Sequence, residues 1–591
     1  MRFPLLLILL LLLSASSVQA QEGVRLDGLR AEARAAASRG ADVLDLPTRR
    51  AAGLRVDVRS GAVRGDYDPP AFRAAGSDAE EQARSYLAQL AGRYGLGADM
   101  SDLRLARVVE GHYDRHVTFE QTVDVGGEVL PVFGREVQVS MTATGRVLMV
   151  QSGYQPVGDV AGSPWDDGAA RRRAAGLVEG GRVAELTRVV MPAGEGRAAQ
   201  KAYAAVVVGA EEWAFVIGLD GAVLFAAPRT THHAHVDHAP AAPFGFVQGV
   251  SPVGPLAGLA DGARADGSGL GFDPDPLTTA GVDYGGAYAD NDDADTPELT
   301  AARVELALPE ITQRGGKWHL EGPYVVIDGT LGARYAPPSE TDPNAFRYTR
   351  ADDRFEAVMV YHHVDDDQRR VQALGVGRPI LEQPIRINPQ GDLSDNSRFF
   401  TNDLTIRMGV GAIDDAEDAM VIRHEYAHAL LNADAPSLYQ RQDGSALHEG
   451  WADYWAASWR ASLIEAGLGS GDVRDVFPWD GNNGCWQGRR LDHPGSYPND
   501  TGYPAPGGGC GNFPTIYQRG ILWATTLFDL RAELGADVMD RLVVASHAFV
   551  GGASGVPAFE SAAQALLAAD EALYDGRYRR TLALGLSARG Y

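Results

Sequence analysis

The chain has 591 residues and a formal net charge of −25 at pH 7, with a sequence pI near 5.0. An acidic surface argues against nucleic acid or an anionic membrane as a partner, because their phosphates would be repelled. The length suggests three or four domains, each large enough for its own core.

Residues 1–20 have the pattern of a secretory signal peptide. Arg2 precedes an apolar run from Leu5 to Leu13, and the segment ends at the small residue Ala20. The run is too short to span a bilayer, and no later stretch reaches 18 apolar residues. We therefore expect a secreted protein, extracellular or periplasmic, with no membrane association after signal cleavage. A membrane anchor is the alternative interpretation.

Two α+β modules are predicted after an N-terminal segment, 21–75, that carries little signal. The first module, 76–157, begins with a helical pattern from Asp78 to Tyr94 and continues with alternating strands such as His116–Val123. The second module, 158–229, begins with a helix and continues with two strands.

Residues 230–299 are predicted to be a linker and a loop-rich segment. Four histidines lie within Thr230–Pro240, where an exposed linker is favoured over a weak metal site. This linker would be a suitable place for cleavage of a precursor. From Asp261 to Pro297 the chain is rich in Asp and Gly, which predicts loops that could bind Ca²⁺, although no EF-hand spacing is present.

The remaining chain is predicted to form two lobes. Residues 300–410 should be β-rich, with strands over Ala302–Leu308, Trp318–Leu320 and Tyr324–Ile327 and a helix from Arg354. Residues 411–591 should be mainly helical. The expected fold class is therefore α+β and multidomain.

Two cysteines, Cys485 and Cys510, lie in a segment rich in Gly, Pro and Asn. In an oxidising compartment such a pair most simply forms one disulfide that closes a loop. Metal binding by both thiols is the weaker alternative, because neither has a partner at ligand spacing.

The stretch His424-Glu425-Tyr426-Ala427-His428 is an HExxH motif. Acidic residues at 414–418 mark the start of its helix, and Pro436 closes the segment. Positions i and i+4 share a helix face, so His424 and His428 can bind one cation. Glu425 lies one position round, where it could hold a metal-bound water.

A third ligand is needed because catalytic zinc takes three protein ligands and keeps one position open. Glu449, in His448-Glu449-Gly450-Trp451-Ala452-Asp453, is the natural candidate. Asp453 follows by one helical turn and could accept the second ring N–H of a ligand histidine.

These motifs, HEYAHALL and SLYQRQDGSALHEGWADYW, resemble those of the thermolysin–fungalysin metallopeptidases. The resemblance implies one Zn²⁺ per chain, held by His424, His428 and Glu449. It also implies that Glu425 is the general base and that Asp453 orients a ligand histidine.

Further residue roles follow from the same resemblance. Tyr439 matches a tyrosine that hydrogen-bonds the oxyanion, and one of Arg489 or Arg490 matches an arginine that binds a substrate carbonyl. Asn396-Ser397-Arg398-Phe399 is similar to the edge strand that holds the substrate backbone. The chain departs from the family at Tyr517, which stands where the family has a transition-state histidine. Its hydroxyl could replace that donor, or the change could lower activity.

The two N-terminal modules also carry a resemblance. HVTFEQTV and LPVFGREVQVSM in the first are similar to an FTP propeptide domain, and the second resembles a PepSY domain. Both kinds of domain precede such proteases and act as intramolecular chaperones and inhibitors. Ordinary α+β accessory modules are the alternative.

The sequence thus predicts a secreted zinc endopeptidase, made as a precursor, that hydrolyses polypeptides. The predicted architecture is FTP-like and PepSY-like prodomains followed by a thermolysin-like unit with the zinc site between its two lobes. One alternative is a weakened zinc-binding homologue that serves as a binding or scaffold protein. The other is an aminopeptidase-type zinc hydrolase.

Overall fold

A computed structural model describes most of the chain. The described residues are 36, 44, 48–51, 53–72, 74–194, 197–209, 211–232, 262–441, 443–482, 487–499, 515–551 and 556–591. Over these ranges the fold is α+β, with four separate sheets and a set of long helices near the C-terminus. The signal peptide and both cysteines, Cys485 and Cys510, fall outside the described residues.

The N-terminal modules share one sheet. Its 11 strands run in the order β1-β2-β3-β7-β6-β8-β9-β10-β11, with β4 and β5 joined to β6. The two halves meet where β6 pairs parallel with β8, through Val132 and Val190. The elements are β1 Thr48–Ala51, β2 Leu54–Asp57, β3 Val63–Asp66, α1 Ala79–Gln89, α2 Ala91–Tyr94, β4 Leu103–Glu110, β5 Asp114–Val125, β6 Glu128–Thr142, β7 Val147–Ser152, α3 Asp167–Ala175, β8 Arg182–Met191, β9 Gln200–Val208, β10 Glu212–Gly218 and β11 Val223–Pro228.

Each half of this sheet keeps its own apolar cluster. Tyr86 and Leu87 of α1 pack in the same cluster as Phe119 and Val139 of the strands. Ala174 of α3 lies in a separate cluster with residues of β9, β10 and β11. The helix of each predicted module therefore packs in a separate cluster, but a further cluster with Leu130 of β6 and Val190 of β8 joins the modules where their strands pair.

Two smaller sheets flank a 20-residue helix, α6. One has the order β13-β14-β15-β17, and the other has the order β12-β19-β20-β18-β16. The elements are β12 Thr231–His232, β13 Ala263–Gly271, α4 Pro276–Ala280, α5 Pro297–Ala302, β14 Val304–Arg314, β15 Lys317–His319, β16 Val325–Ile327, β17 Ser339–Glu340, α6 Arg354–Ala373, β18 Ile385–Asp392, β19 Arg398–Phe400 and β20 Thr405–Gly409.

The stretch Ala263–Gly271 is strand β13, so the loop expected there from composition is wrong. A Cβ on Gly269 would lie 2.6 Å from Cγ1 of Val358, and one on Gly271 would lie 2.4 Å from Cδ1 of Leu306. Glycine is needed because α6 and β14 cover this strand closely. A composition typical of loops here belongs to a tightly packed strand.

The C-terminal part is helical, as predicted, apart from one two-stranded ribbon. The elements are α7 Ala419–Asp434, α8 Gly444–Glu465, β21 Asp475–Val476, β22 Arg489–Arg490, α9 Thr515–Leu534, α10 Ala536–Val550, α11 Ala558–Tyr574 and α12 Arg579–Ala588. Among the described residues, no helix is both long and apolar enough to cross a bilayer.

The N-terminal sheet packs directly on the helical part. Met149 of β7 is 1% exposed and belongs to the same apolar cluster as the core of α7 to α11. The side-chain amide of Gln151 donates to the backbone carbonyls of Phe549 and Val550 at 2.8 and 2.9 Å. Arg107 donates to two carbonyls at the C-terminal end of α7. The sheet thus supports the helix that carries the HExxH motif.

Candidate metal centre

Helix α7 carries the HExxH motif on a stretch with no glycine or proline. Its first turn is capped by Asp418, whose Oδ1 accepts from the N–H of Met420 at 2.9 Å. The helix ends at Asp434, just before Pro436. His424 and His428 are fully buried, and their ring centroids are 4.6 Å apart. The predicted shared face is therefore present.

Helix α8 brings Glu449 to these two histidines. Its Oε2 lies 3.4 Å from Nε2 of His424, and its Oε1 lies 3.8 Å from Nε2 of His428. One ligand atom from each of the three residues lies within 4.8 Å of the others. Zinc–ligand bonds of about 2.0–2.2 Å in a tetrahedral site separate ligand atoms by about 3.4 Å. The donor set and its spacing therefore fit a zinc ion.

Close packing of α8 on α9 fixes the position of Glu449. A Cβ on Gly450 would lie 2.5 Å from the carbonyl oxygen of Gly520, and one on Gly520 would lie 3.0 Å from Cβ of Glu449. Both glycines let the two helices approach beside the candidate ligand.

Asp453 lies beside the second ring nitrogen of His424. Oδ1 of Asp453 lies 3.1 Å from Nδ1 of His424 and also accepts from Nη1 of Arg489. Arg489 is buried, and its Nη1 lies 3.9 Å from Oε2 of Glu449. A carboxylate on Nδ1 leaves Nε2 as the metal-binding nitrogen.

The charges of this group shift one another's pKa values. Burial acts to lower the pKa of His424, but the carboxylates of Asp453 and Glu449, 3.1 and 3.4 Å from its ring nitrogens, raise it to about 9. Burial raises the pKa of Glu425 and that of Glu449, and His424 opposes both shifts. Burial acts to raise the pKa of Asp453, but Arg489 and His424 bring that pKa below its usual value. Asp453 is therefore ionised at neutral pH.

Glu425 lies beside the three candidate ligands without joining them. Its side chain is fully buried, and neither carboxylate oxygen has a hydrogen-bond partner among the described residues. Burying an unpaired carboxylate is costly, so its retention needs a reason.

The two tyrosines expected near the oxyanion lie in different surroundings. The Tyr517 ring lies under Arg489, whose guanidinium carbon is 4.5 Å from the ring centroid. Burial raises the pKa of Tyr517, with the charges of Glu449 and Glu425 adding to the shift. Tyr517 therefore adjoins the candidate metal centre.

Tyr439 contacts the second N-terminal module instead. Arg229 lies over its ring at 5.1 Å, and its hydroxyl accepts from the side-chain amide of Gln440 at 3.1 Å. Its ring packs beside residues of β8 to β11. The oxyanion role of Tyr439 thus remains a prediction, with the module covering its ring in this structure.

The structure also separates the two candidate arginines. Arg489 lies at the candidate metal centre, whereas Arg490 points outward and pairs with Asp472, Asp475 and Asp492. The alternation of side chains along a strand explains the difference, because consecutive residues of β22 face opposite sides.

The expected substrate strand is β19, and it lies against α7. Asn396 and Ser397 precede it, and both are buried. The Ser397 hydroxyl donates to Oδ2 of Asp415 and accepts from the N–H of Gly409. Ser397 therefore anchors the strand internally, and its hydroxyl is already engaged.

Two features near the site were not found from the sequence. Residues Thr231–His232 pair antiparallel with β19, which no local pattern in a histidine-rich linker indicates. Asp395, Asp415 and Asp480 converge from three parts of the chain. The acidic run at 414–418 predicts a helix start, and its excess of carboxylates is also a signal for such a cluster.

Acids of the 261–297 segment, expected as possible calcium ligands, are partly paired with an arginine. Arg350 donates to Asp290 at 2.6 Å, to Asp293 at 3.3 Å and to Glu417 at 2.8 Å. A guanidinium thus supplies the positive charge between these carboxylates.

The chain was compared with known families and proteins. No protein-family model and no curated protein matches it. Six chains of solved structure match, including the Bacillus megaterium YpeB C-terminal domain. That match is 13% identical with a TM-score of 0.19, and it covers 30% of this chain and 75% of the other. A TM-score so low carries no argument about fold or function.

Proposed function

We propose that this protein is a secreted zinc-dependent endopeptidase made as a precursor. The convergence of His424, His428 and Glu449, with the buried Glu425 beside them, carries the proposal. Two imidazoles and one carboxylate are a known ligand set for catalytic zinc. When bound, zinc would polarise the scissile carbonyl and lower the pKa of a water to about 7.

The residues of the chain itself would perform the proton transfers. Glu425 would take the proton of the attacking water and pass it to the leaving amine. Arg489 and Tyr517 lie close enough to the ligands to act on the oxyanion side of the same centre.

The precursor form is supported by the pairing on β19. Thr231 is opposite Phe399 and position 232 is opposite Arg398, in antiparallel register. The same short strand, β12, also lies against α7 and α8. An extended peptide bound at a sheet edge would occupy this place. The chain's own segment would therefore block substrate until it is released.

A second contact of the same module would hold the block in place. Glu212 is buried, and its two carboxylate oxygens accept from the hydroxyl of Thr401 and the N–H of Asn402 at 2.9 and 2.8 Å. Those residues directly follow β19. The side chain of Arg229 lies 3.3 Å from Glu212 and also covers Tyr439. Removal of the module would uncover both the strand and the tyrosine.

The test is peptide hydrolysis by the full chain before and after maturation, with bound zinc measured in each sample. We expect cleavage at internal bonds of blocked peptides, loss of activity with a chelator and loss with Glu425→Gln. Glu356→Gln, at a buried glutamate of α6, is the matched control and should keep activity. Zinc-loaded, fully matured protein that cleaves nothing would refute the proposal. Cleavage only at free N-termini would favour an aminopeptidase.

One observation favours the weakened homologue as a second candidate. Tyr517 replaces the transition-state histidine expected from the resemblance, and its ring is stacked on Arg489. A tyrosine that supplied only this packing would leave the oxyanion without one donor. Full zinc binding with turnover no higher than that of Glu425→Gln would identify this case.

A further inference from the structure

Three aspartates form a second cluster of carboxylates beside the candidate metal centre. Asp395, Asp415 and Asp480 each offer one oxygen, and these three oxygens lie within 4.8 Å of one another. Asp415 and Asp480 are fully buried. The residues come from the segment before β19, the turn before α7 and the segment after β21, so the cluster is built by the tertiary fold.

Close packing of backbone brings the first two aspartates together. A Cβ on Gly409 would lie 2.8 Å from Oδ2 of Asp415 and 2.6 Å from the N atom of Asn396. A Cβ on Gly411 would lie 2.4 Å from the N atom of Asp395. These two glycines allow the loop before β19 to lie against the end of β20.

Asp415 provides a separate indication of a ligand. Its Oδ2 accepts from the hydroxyl of Ser397, but its Oδ1 is buried with no hydrogen-bond partner among the described residues. Arg350 donates to Glu417, two residues further along the chain. Burial raises the pKa of Asp415, and the charge of Asp395 raises it further. Buried carboxylates this close need either a proton or a cation between them.

We propose that Asp395, Asp415 and Asp480 bind a calcium ion. Carboxylate oxygens alone, without nitrogen or sulfur donors, are the ligand set of a hard cation. Calcium takes six to eight oxygens in flexible geometry, which three carboxylates with neighbouring carbonyls and waters can supply. The site is distinct from the histidine-containing centre and does not depend on the proposed peptidase activity.

Bound calcium would tie together three parts of the candidate active site. Asp395 directly precedes Asn396 and Ser397, at the start of the predicted substrate strand. Asp415 precedes the helix that carries the HExxH motif, and the N–H of Asp480 donates to Asp418, the cap of that helix. The ion would therefore fix the substrate strand relative to α7.

The experiment measures calcium binding by the full-length Glu425→Gln protein, so that no self-cleavage or activity enters the readout. Titration with Ca²⁺ is followed by calorimetry and by Tb³⁺ luminescence, with zinc content measured in the same samples. We expect one calcium per chain and a rise in melting temperature on adding Ca²⁺. Asp480→Asn and Asp415→Asn should each weaken calcium affinity at least tenfold, with zinc content unchanged.

Two further variants decide the location. Asp292→Asn removes a carboxylate from the aspartate-rich loop and should leave calcium affinity unchanged. Asp395→Asn, at a half-buried position, should weaken affinity even if the more deeply buried variants fail to fold. The proposal is overturned if Asp395→Asn binds calcium as the parent does. It is also overturned if the parent binds no calcium, which would mean that Asp415 and Asp480 share a proton.

Discussion

Replacing Asp453 tests a residue that contacts the candidate ligand His424 without changing any candidate ligand. Asp453 is fully buried, lies 3.1 Å from Nδ1 of His424 and accepts from Arg489. Asp453→Asn keeps the shape and one acceptor oxygen but removes the charge. His424 then faces a neutral amide in place of an anion at Nδ1, and Arg489 loses the negative charge that pairs with its Nη1.

The size of the effect follows from these contacts. Removing a carboxylate that supports a ligand histidine weakens metal affinity by about 10- to 100-fold, or roughly 1.4–2.8 kcal/mol. Leaving a buried arginine with a weakened partner also costs folding free energy, by about 3–5 kcal/mol when the pair is broken completely. We expect the asparagine variant to lose less than that, since it still accepts one hydrogen bond.

Zinc affinity is measured by competition with a chromophoric chelator, and stability by urea unfolding of the metal-free protein. The matched control is Asp540→Asn, because Asp540 is equally buried and accepts from Tyr454, Ser458 and Arg370. The control should lose stability and keep zinc affinity. Equal zinc affinity in Asp453→Asn and the parent would refute the role assigned to Asp453.

Three further predictions concern the same centre. Gly450→Ala should push α8 away from α9 and weaken zinc binding. The free energy of unfolding, measured in urea, should fall by about 1–3 kcal/mol. Unchanged stability would contradict the packing argument. Tyr517→Phe removes only the hydroxyl and keeps the ring on Arg489. A fall in kcat of about 100-fold at constant KM would show that this hydroxyl stabilises the oxyanion, and an unchanged kcat would exclude that role. Zinc binding at pH 7.5 should release at least about one proton, because His424 of the metal-free protein has a pKa of about 9 and burial also raises the pKa of Glu449. The pKa of His424 is higher in the folded metal-free protein than in the unfolded chain, so protonation of His424 stabilises the fold. This stabilisation is complete below about pH 6.5 and is lost as the pH rises through 9. Calorimetry in two buffers of different ionisation enthalpy measures the protons released, and a value near zero would contradict the raised pKa.

Short-range spacing in the chain is enough to predict the histidine pair of the site. Spacing of i and i+4 places His424 and His428 on one face of any helix, and the acidic residues before them with Pro436 after them set its approximate ends. The choice of Glu449 as the third ligand came from a family likeness together with the coordination that zinc requires. Each of these inferences depends on short-range geometry, which repeats in every helix.

Tertiary packing alone decided which distant residues meet. Sequence could not choose between Arg489 and Arg490, because the choice depends on which face of β22 turns toward α8. It could not show that residues 231 and 232 pair with β19, since neither segment carries a pattern naming its partner. The convergence of Asp395, Asp415 and Asp480 likewise depends on glycine-mediated backbone contacts between segments far apart in the chain. Side-chain identity fixes what a residue can bind, but only the packed fold fixes what lies next to it.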